Sequence, residues 1–222
     1  MRSEMVSFPA NSGVTAGYLA TPDTPGPGVL VIQEWWGLVG HIREVADRFA
    51  AAGFTALAPD LFHGESTTSP DEAGKLFMAL EIARAEHDLR GAADYLGTVA
   101  SGSRVGVVGF CMGGQLALFA ASKSDRIGAC VDFYGVHPNV QPDYPAIACP
   151  VLGLFAENDG FVPPAAVAKL GEDLSAAGVA HELHTYPGTD HAFFNDGRPE
   201  VYDAAAAGDA WERTVRHLRA NI

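Results

Sequence analysis

Val6 and Phe8, followed by Val14, Ala16, Tyr18 and Ala20, alternate with more polar positions, the period of a strand with one buried face. Asn11-Ser12-Gly13 between the two sets supplies turn residues, so the chain is predicted to begin with an antiparallel hairpin. Thr21 to Gly28, with three prolines and two glycines, reads as a surface turn. Val29-Leu30-Val31-Ile32 then breaks the alternation. It is apolar on both faces, as a strand inside a parallel sheet must be, and similar runs recur at Phe54 to Ala58, Val105 to Val108 and Val151 to Phe155.

Between these runs the period becomes helical. Val39, Ile42, Val45, Ala46, Phe49 and Ala50 fall on one stripe, closed by Gly53 at a C′ position. Ser69-Pro70-Asp71-Glu72 joins an N-cap serine to a proline at the first helical position and an acidic first turn, which predicts one helix running on through the Ala/Leu-rich segment beyond. Gln115 to Ala121 continues as helix, and Pro163-Pro164 and Pro199 are predicted to open two more. His181 to Tyr186 alternates like a strand. Buried strands alternating with amphipathic helices imply the α/β class, a mostly parallel central sheet with helices on both faces, and ligands in such sheets sit at the carboxyl ends of the strands. With no repeat or low-complexity tract, residues 1–222 are expected to form a single domain.

Charge narrows the partners. Lys and Arg number 14 against 27 Asp and Glu, a net charge of −13, so phosphate backbones and anionic lipid surfaces would repel the chain. Neither a nucleic-acid nor a membrane partner is expected, and an anionic substrate would need locally placed cations. The start, Met1-Arg2-Ser3-Glu4-Met5, lacks a basic region followed by an apolar run, and Val105 to Ala121 falls short of the roughly 20 apolar residues of a membrane span. Cys111, Cys130 and Cys149 are an odd number with no CxxC pair, so neither a disulfide framework nor a structural metal is indicated. Reduced thiols in a cytoplasm are the expectation.

The chemistry gathers after the apolar runs. Gly109-Phe110-Cys111-Met112-Gly113 stands between a predicted strand and a predicted helix as G-x-C-x-G, where paired glycines permit a sharp turn that lifts the central side chain into a cleft. The N–H of Met112 is then aimed at the same space. A thiol with an ordinary pKa of about 8.5 is mostly protonated at neutral pH, so a cysteine nucleophile needs a base and an orienting acid. Asp159 follows the Val151 run, with Glu157 as a competing carboxylate, and His191 follows the His181 strand, where Gly188 and Asp190 mark a loop. Nucleophile, acid and base in that order is the order of the α/β-hydrolases. Gln33-Glu34-Trp35-Trp36-Gly37 follows the Val29 run, where such an enzyme places its second oxyanion donor, here the N–H of Trp35. Trp36, Phe110 and Phe193 are candidates to line an apolar pocket. Glu34, a carboxylate at the end of a buried strand, calls for a functional explanation. His181-Glu182-Leu183-His184 has the wrong spacing for a helical zinc site, and His41, His87 and His217 sit in helical patterns while His63 and His137 lie in loops.

Taken with Ala58-Pro59-Asp60-Leu61, Phe133-Tyr134-Gly135, Asn158-Asp159, Val162-Pro163 and Gly188 to Phe193, these motifs resemble the dienelactone hydrolase (carboxymethylenebutenolidase) family over nearly the whole chain. The resemblance implies an α/β-hydrolase fold, a Cys-His-Asp triad of Cys111, His191 and Asp159 that opens a small lactone or ester through a thioester, and no cofactor or metal. It implies that Glu34 contacts the thiol and takes its proton, and that Tyr134 belongs to the site. The family archetype holds a substrate carboxylate with two arginines. No arginine stands near Lys75 and Asn195 occupies the second position, which leaves Arg198 as the candidate substitute. A general carboxylesterase, a thiol acyltransferase or a silent ligand-binding or thiol-sensing member of the fold are the rival readings, in a monomer or small homo-oligomer.

Overall fold

The computed structural model describes residues 1–10 and 13–222. Eight strands form one sheet in the order β1-β2-β4-β3-β5-β6-β7-β8. β1 (Arg2–Ala10) and β2 (Gly13–Thr21) form the antiparallel hairpin expected from the alternation, with Val6 opposite Gly17. Asn11 and Ser12 of the expected turn lie outside the described residues. β3 (Pro27–Ile32), β4 (Thr55–Pro59), β5 (Ser101–Phe110), β6 (Ile127–Phe133), β7 (Val151–Ala156) and β8 (His181–Tyr186) run parallel to one another. Every residue of β4, β6 and β7 is buried, which is why those segments carry apolar runs, whereas the edge strand β8 is only partly covered and buries Tyr186 alone.

Helices cover both faces. α1 (Gly40–Ala51) presents Ile42, Val45 and Phe49 to one face, beside α6 (Ala204–Asn221) with Ala207, Ala210 and Leu218. α3 (Ile82–Val99) and α4 (Met112–Lys123) pack Leu89, Leu96, Leu116 and Leu118 on the other. α5 (Pro164–Ala176) lies against β8 and begins at the predicted Pro163-Pro164. Truncating one of these buried large side chains to alanine would cost about 3–5 kcal/mol, a large share of the stability of a domain this size.

Two helical expectations need correction. The segment after Ser69 forms two helices: α2 (Pro70–Ala79) ends at Leu80 and α3 restarts at Ile82. Of α2 only Ala73 is buried, so no continuous apolar stripe carries one helix through both segments. Pro199 opens no helix. Residues 196–203 form turns, and α6 begins where the Asp203 carboxylate accepts from the N–H groups of Ala205 and Ala206, a side-chain cap that proline cannot provide.

The connections place the site. From β3 the chain moves to β4 on one side, and from β5 it proceeds through β6, β7 and β8 on the other, so a crevice opens at the carboxyl ends of β3 and β5. Register aligns those ends: Ile32 pairs with Gly109, Phe110 with Phe133, and Ala156 with Tyr186. Glu34, Cys111, Tyr134, Asp159 and His191 all follow within a few residues.

Candidate active site

Cys111 is the N-cap of α4, at φ 54° and ψ −118°, a conformation that costs an L-residue about 1–3 kcal/mol. The surrounding glycines make it attainable. A Cβ on Gly109 would lie 1.8 Å from the Gly113 carbonyl oxygen, and one on Gly113 would lie 2.4 Å from that of Ile32, so strand and helix close on each other only without side chains there. The turn is tied by Cys111 N–H to the Phe133 carbonyl at 3.0 Å and by Gly114 N–H to the Cys111 carbonyl at 2.9 Å. The N–H groups of Met112 and Trp35 both act on the thiol and favour its ionisation, but burial and then the Glu34 charge outweigh them and push the thiol well above its ordinary range. Burial thus favours the protonated thiol at Cys111.

His191 donates from Nδ1 to Asp159 Oδ2 at 2.6 Å, leaving Nε2 as the basic nitrogen. The other Asp159 oxygen accepts from the N–H groups of Phe161 at 2.8 Å and Val162 at 2.9 Å. Burial alone would raise Asp159. The hydrogen bond and charge of His191, with those two N–H groups, more than offset it and hold the carboxylate below its ordinary range. Glu157, the competing acid, turns away and accepts from Gly188 N–H at 2.8 Å, bracing the loop that carries the histidine. Ala192, next to His191, sits at φ 68°, and the Tyr134 ring packs 5.0 Å from the imidazole.

Glu34 is almost wholly buried, and its Oε2 accepts from Asn195 Nδ2 at 2.6 Å. Burial raises this carboxyl despite the opposing influences of His41, His191, Asn195 and Arg198. Beside it opens a cleft of about 420 Å³ lined by Trp36, Val39, His41, Asn195 and Arg198. The Arg198 guanidinium stands 5.8 Å over the Trp36 ring while its Nε donates to Glu200 at 2.9 Å. Phe110 and Phe193 are fully buried and pack behind the site with Phe133, Tyr134 and Tyr186 rather than facing this cleft. Phe161, not singled out from the sequence, is 64% exposed with its ring 5.1 Å from His191, and its position two residues after Asp159 was the available signal. Asn195 as the Glu34 partner, and the pairing of His41 on α1 with Asp196 at 3.0 Å, join positions 161 and 155 residues apart and leave no local pattern. Among the described residues no group of His, Cys, Asp and Glu could hold a metal ion, and no helix is long and apolar enough to cross a membrane.

A mostly parallel sheet with an elbow between β5 and α4, and an acid and a histidine on the loops after β7 and β8, defines an α/β-hydrolase. Residues 15–222 match the model of the dienelactone hydrolase family, and the chain belongs to that family of hydrolases. It is 39% identical to “Protein usf” of Aquifex pyrophilus, with 97% of each chain covered. It is 34% identical, again with 97% of each covered, to a protein of Aquifex aeolicus called “Putative carboxymethylenebutenolidase”. Among solved structures, one described as a “Putative Dienelactone Hydrolase” from Klebsiella pneumoniae subsp. pneumoniae superposes with a TM-score of 0.89 at 28% identity, covering 98% of both chains.

Proposed function

We propose that this protein hydrolyses small uncharged esters or lactones through a thioester on Cys111. The observation that carries this reading is the elbow. A strained cysteine stands at a helix N-terminus with the N–H groups of Met112 and Trp35 turned on its sulfur, and on the loop after β8 a histidine is already held by a buried aspartate. The thiol proton passes to Glu34, the thiolate attacks the carbonyl, and the oxyanion takes up the two N–H groups, each contributing about 3 kcal/mol at the transition state. His191, oriented by Asp159, then activates water to release the acid and restore the thiol.

The preference for an uncharged substrate follows from the charges of the cleft. Glu34 is held by a neutral amide, and Arg198, the guanidinium that lines the cleft, is paired with Glu200, so it already has its carboxylate. A substrate carboxylate entering beside Glu34 would be desolvated without a free partner. Rapid mixing with an activated aryl ester should give a burst of phenol and an acyl adduct on Cys111 found by peptide mass mapping. Wild type should turn over a methyl ester faster than the corresponding free acid. A missing adduct sinks the thioester, and a tenfold preference for the acid sinks the uncharged substrate.

A further inference from the structure

Glu34 is buried against a partner that brings no charge, so an ionised Glu34 must find its counter-cation elsewhere. The second residue of α1 offers one. The His41 side chain is 6% exposed, its Nδ1 lies 3.0 Å from Asp196 Oδ1, and its ring sits edge-on to Phe110 and Phe194, each with centroids 6.5 Å away. Its Nε2 is buried without a hydrogen-bond partner. A buried polar atom left in that state costs stability and calls for a use. The ring lines the same cleft as Asn195, which holds Glu34. Of the surrounding groups that favour the ionised form of Glu34, His41 exerts the strongest pull, ahead of His191, Asn195 and Arg198.

We infer that His41, backed by Asp196, is a positioning residue for the proton of the Glu34–Cys111 pair, a second histidine–aspartate dyad facing the site from α1. The inference rests on the reading of Cys111 as nucleophile. As imidazolium, His41 is the counter-cation of the Glu34 carboxylate. The Cys111 S–H bond breaks as an O–H bond forms on Glu34. The same proton returns from Glu34 to the leaving oxygen when the ester C–O bond breaks, so none is gained or lost. Asp196, with its side chain 46% exposed, keeps the far end of the dyad open to water. The other charged groups around His41 are Arg198 with Glu200 across the cleft and the exposed Glu44 one turn along α1.

The first measurement needs no substrate. Alkylation of Cys111 by iodoacetamide is followed across pH in the full chain for wild type, His41→Phe, His41→Gln and Asp196→Asn, with peptide mapping to assign the label. Phenylalanine keeps the packing against Phe110 and Phe194 and removes only the proton-carrying nitrogens. Thiolate becomes available once the Glu34–Cys111 pair has lost its first proton, and withdrawing a neighbouring cation moves that loss to higher pH. The midpoint of the alkylation curve should rise by at least about half a pH unit in His41→Phe and His41→Gln, and by less in Asp196→Asn. On an uncharged ester, kcat/KM at neutral pH should fall about tenfold in His41→Phe, with the gap closing as pH rises. Superimposable alkylation curves overturn the assignment of His41, as does a slowing by the same factor at every pH, which marks a packing defect. If Phe fails to fold, the Gln variant is judged by the same criterion. No labelling of Cys111 in wild type overturns the nucleophile and the His41 inference together, whereas normal wild-type labelling with unmoved curves overturns His41 alone.

Discussion

His191 and His41 are each held at Nδ1 by an aspartate, at 2.6 Å and 3.0 Å, yet the two imidazoles stand on unlike supports. His191 sits on a loop past β8, anchored by an aspartate that is itself buried and fixed by two backbone N–H groups. His41 rides on a helix, and its aspartate is half exposed on a turn. On the proposed roles, the difference separates two tasks. A base that must meet the reacting carbonyl needs a rigid acid behind it, because a displacement of about 1 Å can cost a hundredfold in rate. A group that only sets the protonation of a neighbouring pair needs charge and a path to water, and tolerates a looser hold. The carboxylates divide in the same way: Asp159 is stabilised ionised, whereas burial raises Glu34.

The largest expected effect is on the His191 side. His191→Ala should lower kcat/KM by about a thousandfold or more, since base, acid and nucleophile act as one unit. Asp159→Asn should cost as much or less, and Glu157→Gln should change the rate little because its carboxylate braces Gly188. A silent Asp159→Asn beside an inactive Glu157→Gln would exchange the two roles. Brief treatment with iodoacetamide should label Cys111, which stands at the elbow with the N–H groups of Met112 and Trp35 on its thiol, and spare Cys130 and Cys149, which lie buried in β6 and just before β7. Label mainly on either of those would remove the elbow from the chemistry.

A smaller effect separates the two carboxylates by stability. Asp159, with its pKa lowered in the folded state, contributes stability that is present above the ordinary carboxylate range and is lost as pH falls through the lowered value. Glu34 has the opposite sign: its raised pKa favours the folded state at low pH, and that contribution is lost as pH rises through the folded value. At neutral pH, Asp159→Asn should therefore lower Tm and Glu34→Gln should raise it, each by about 2–4 °C for every kcal/mol involved at this chain length. Shifts of the same sign in calorimetry would contradict the contrast. The smallest effect is expected at Arg198. With its guanidinium occupied by Glu200, Arg198→Ala should leave KM for an uncharged ester within about twofold, far below the tenfold that marks 1.4 kcal/mol of lost binding. A large rise in KM confined to the free acid would instead give Arg198 the role of an anion clamp.

Much of this site was legible before the fold was known, because its chemistry is written in short runs. Gly109-Phe110-Cys111-Met112-Gly113 declares a strand-to-helix elbow since only glycine permits the approach of 1.8 Å that a Cβ on Gly109 would make to Gly113. Apolar runs two faces deep declare parallel strands, and sites in such sheets follow the strand ends, which located Glu34, Asp159 and His191. Helix limits were harder where the local signals conflicted. Proline at 199 suggested a helix start, but the N-cap carboxylate of Asp203 decided it. The choice between Glu157 and Asp159 turned on which carboxylate the loop aims at His191. The bond between Glu34 and Asn195 and the pairing of His41 with Asp196 span most of the chain, and no period of two or 3.6 residues marks them. Burial, charge and hydrogen bonding at those positions arise only when β3, α1 and the loop past β8 meet, so the chain alone marked the candidate nucleophile and base while tertiary packing decided which partners surround them.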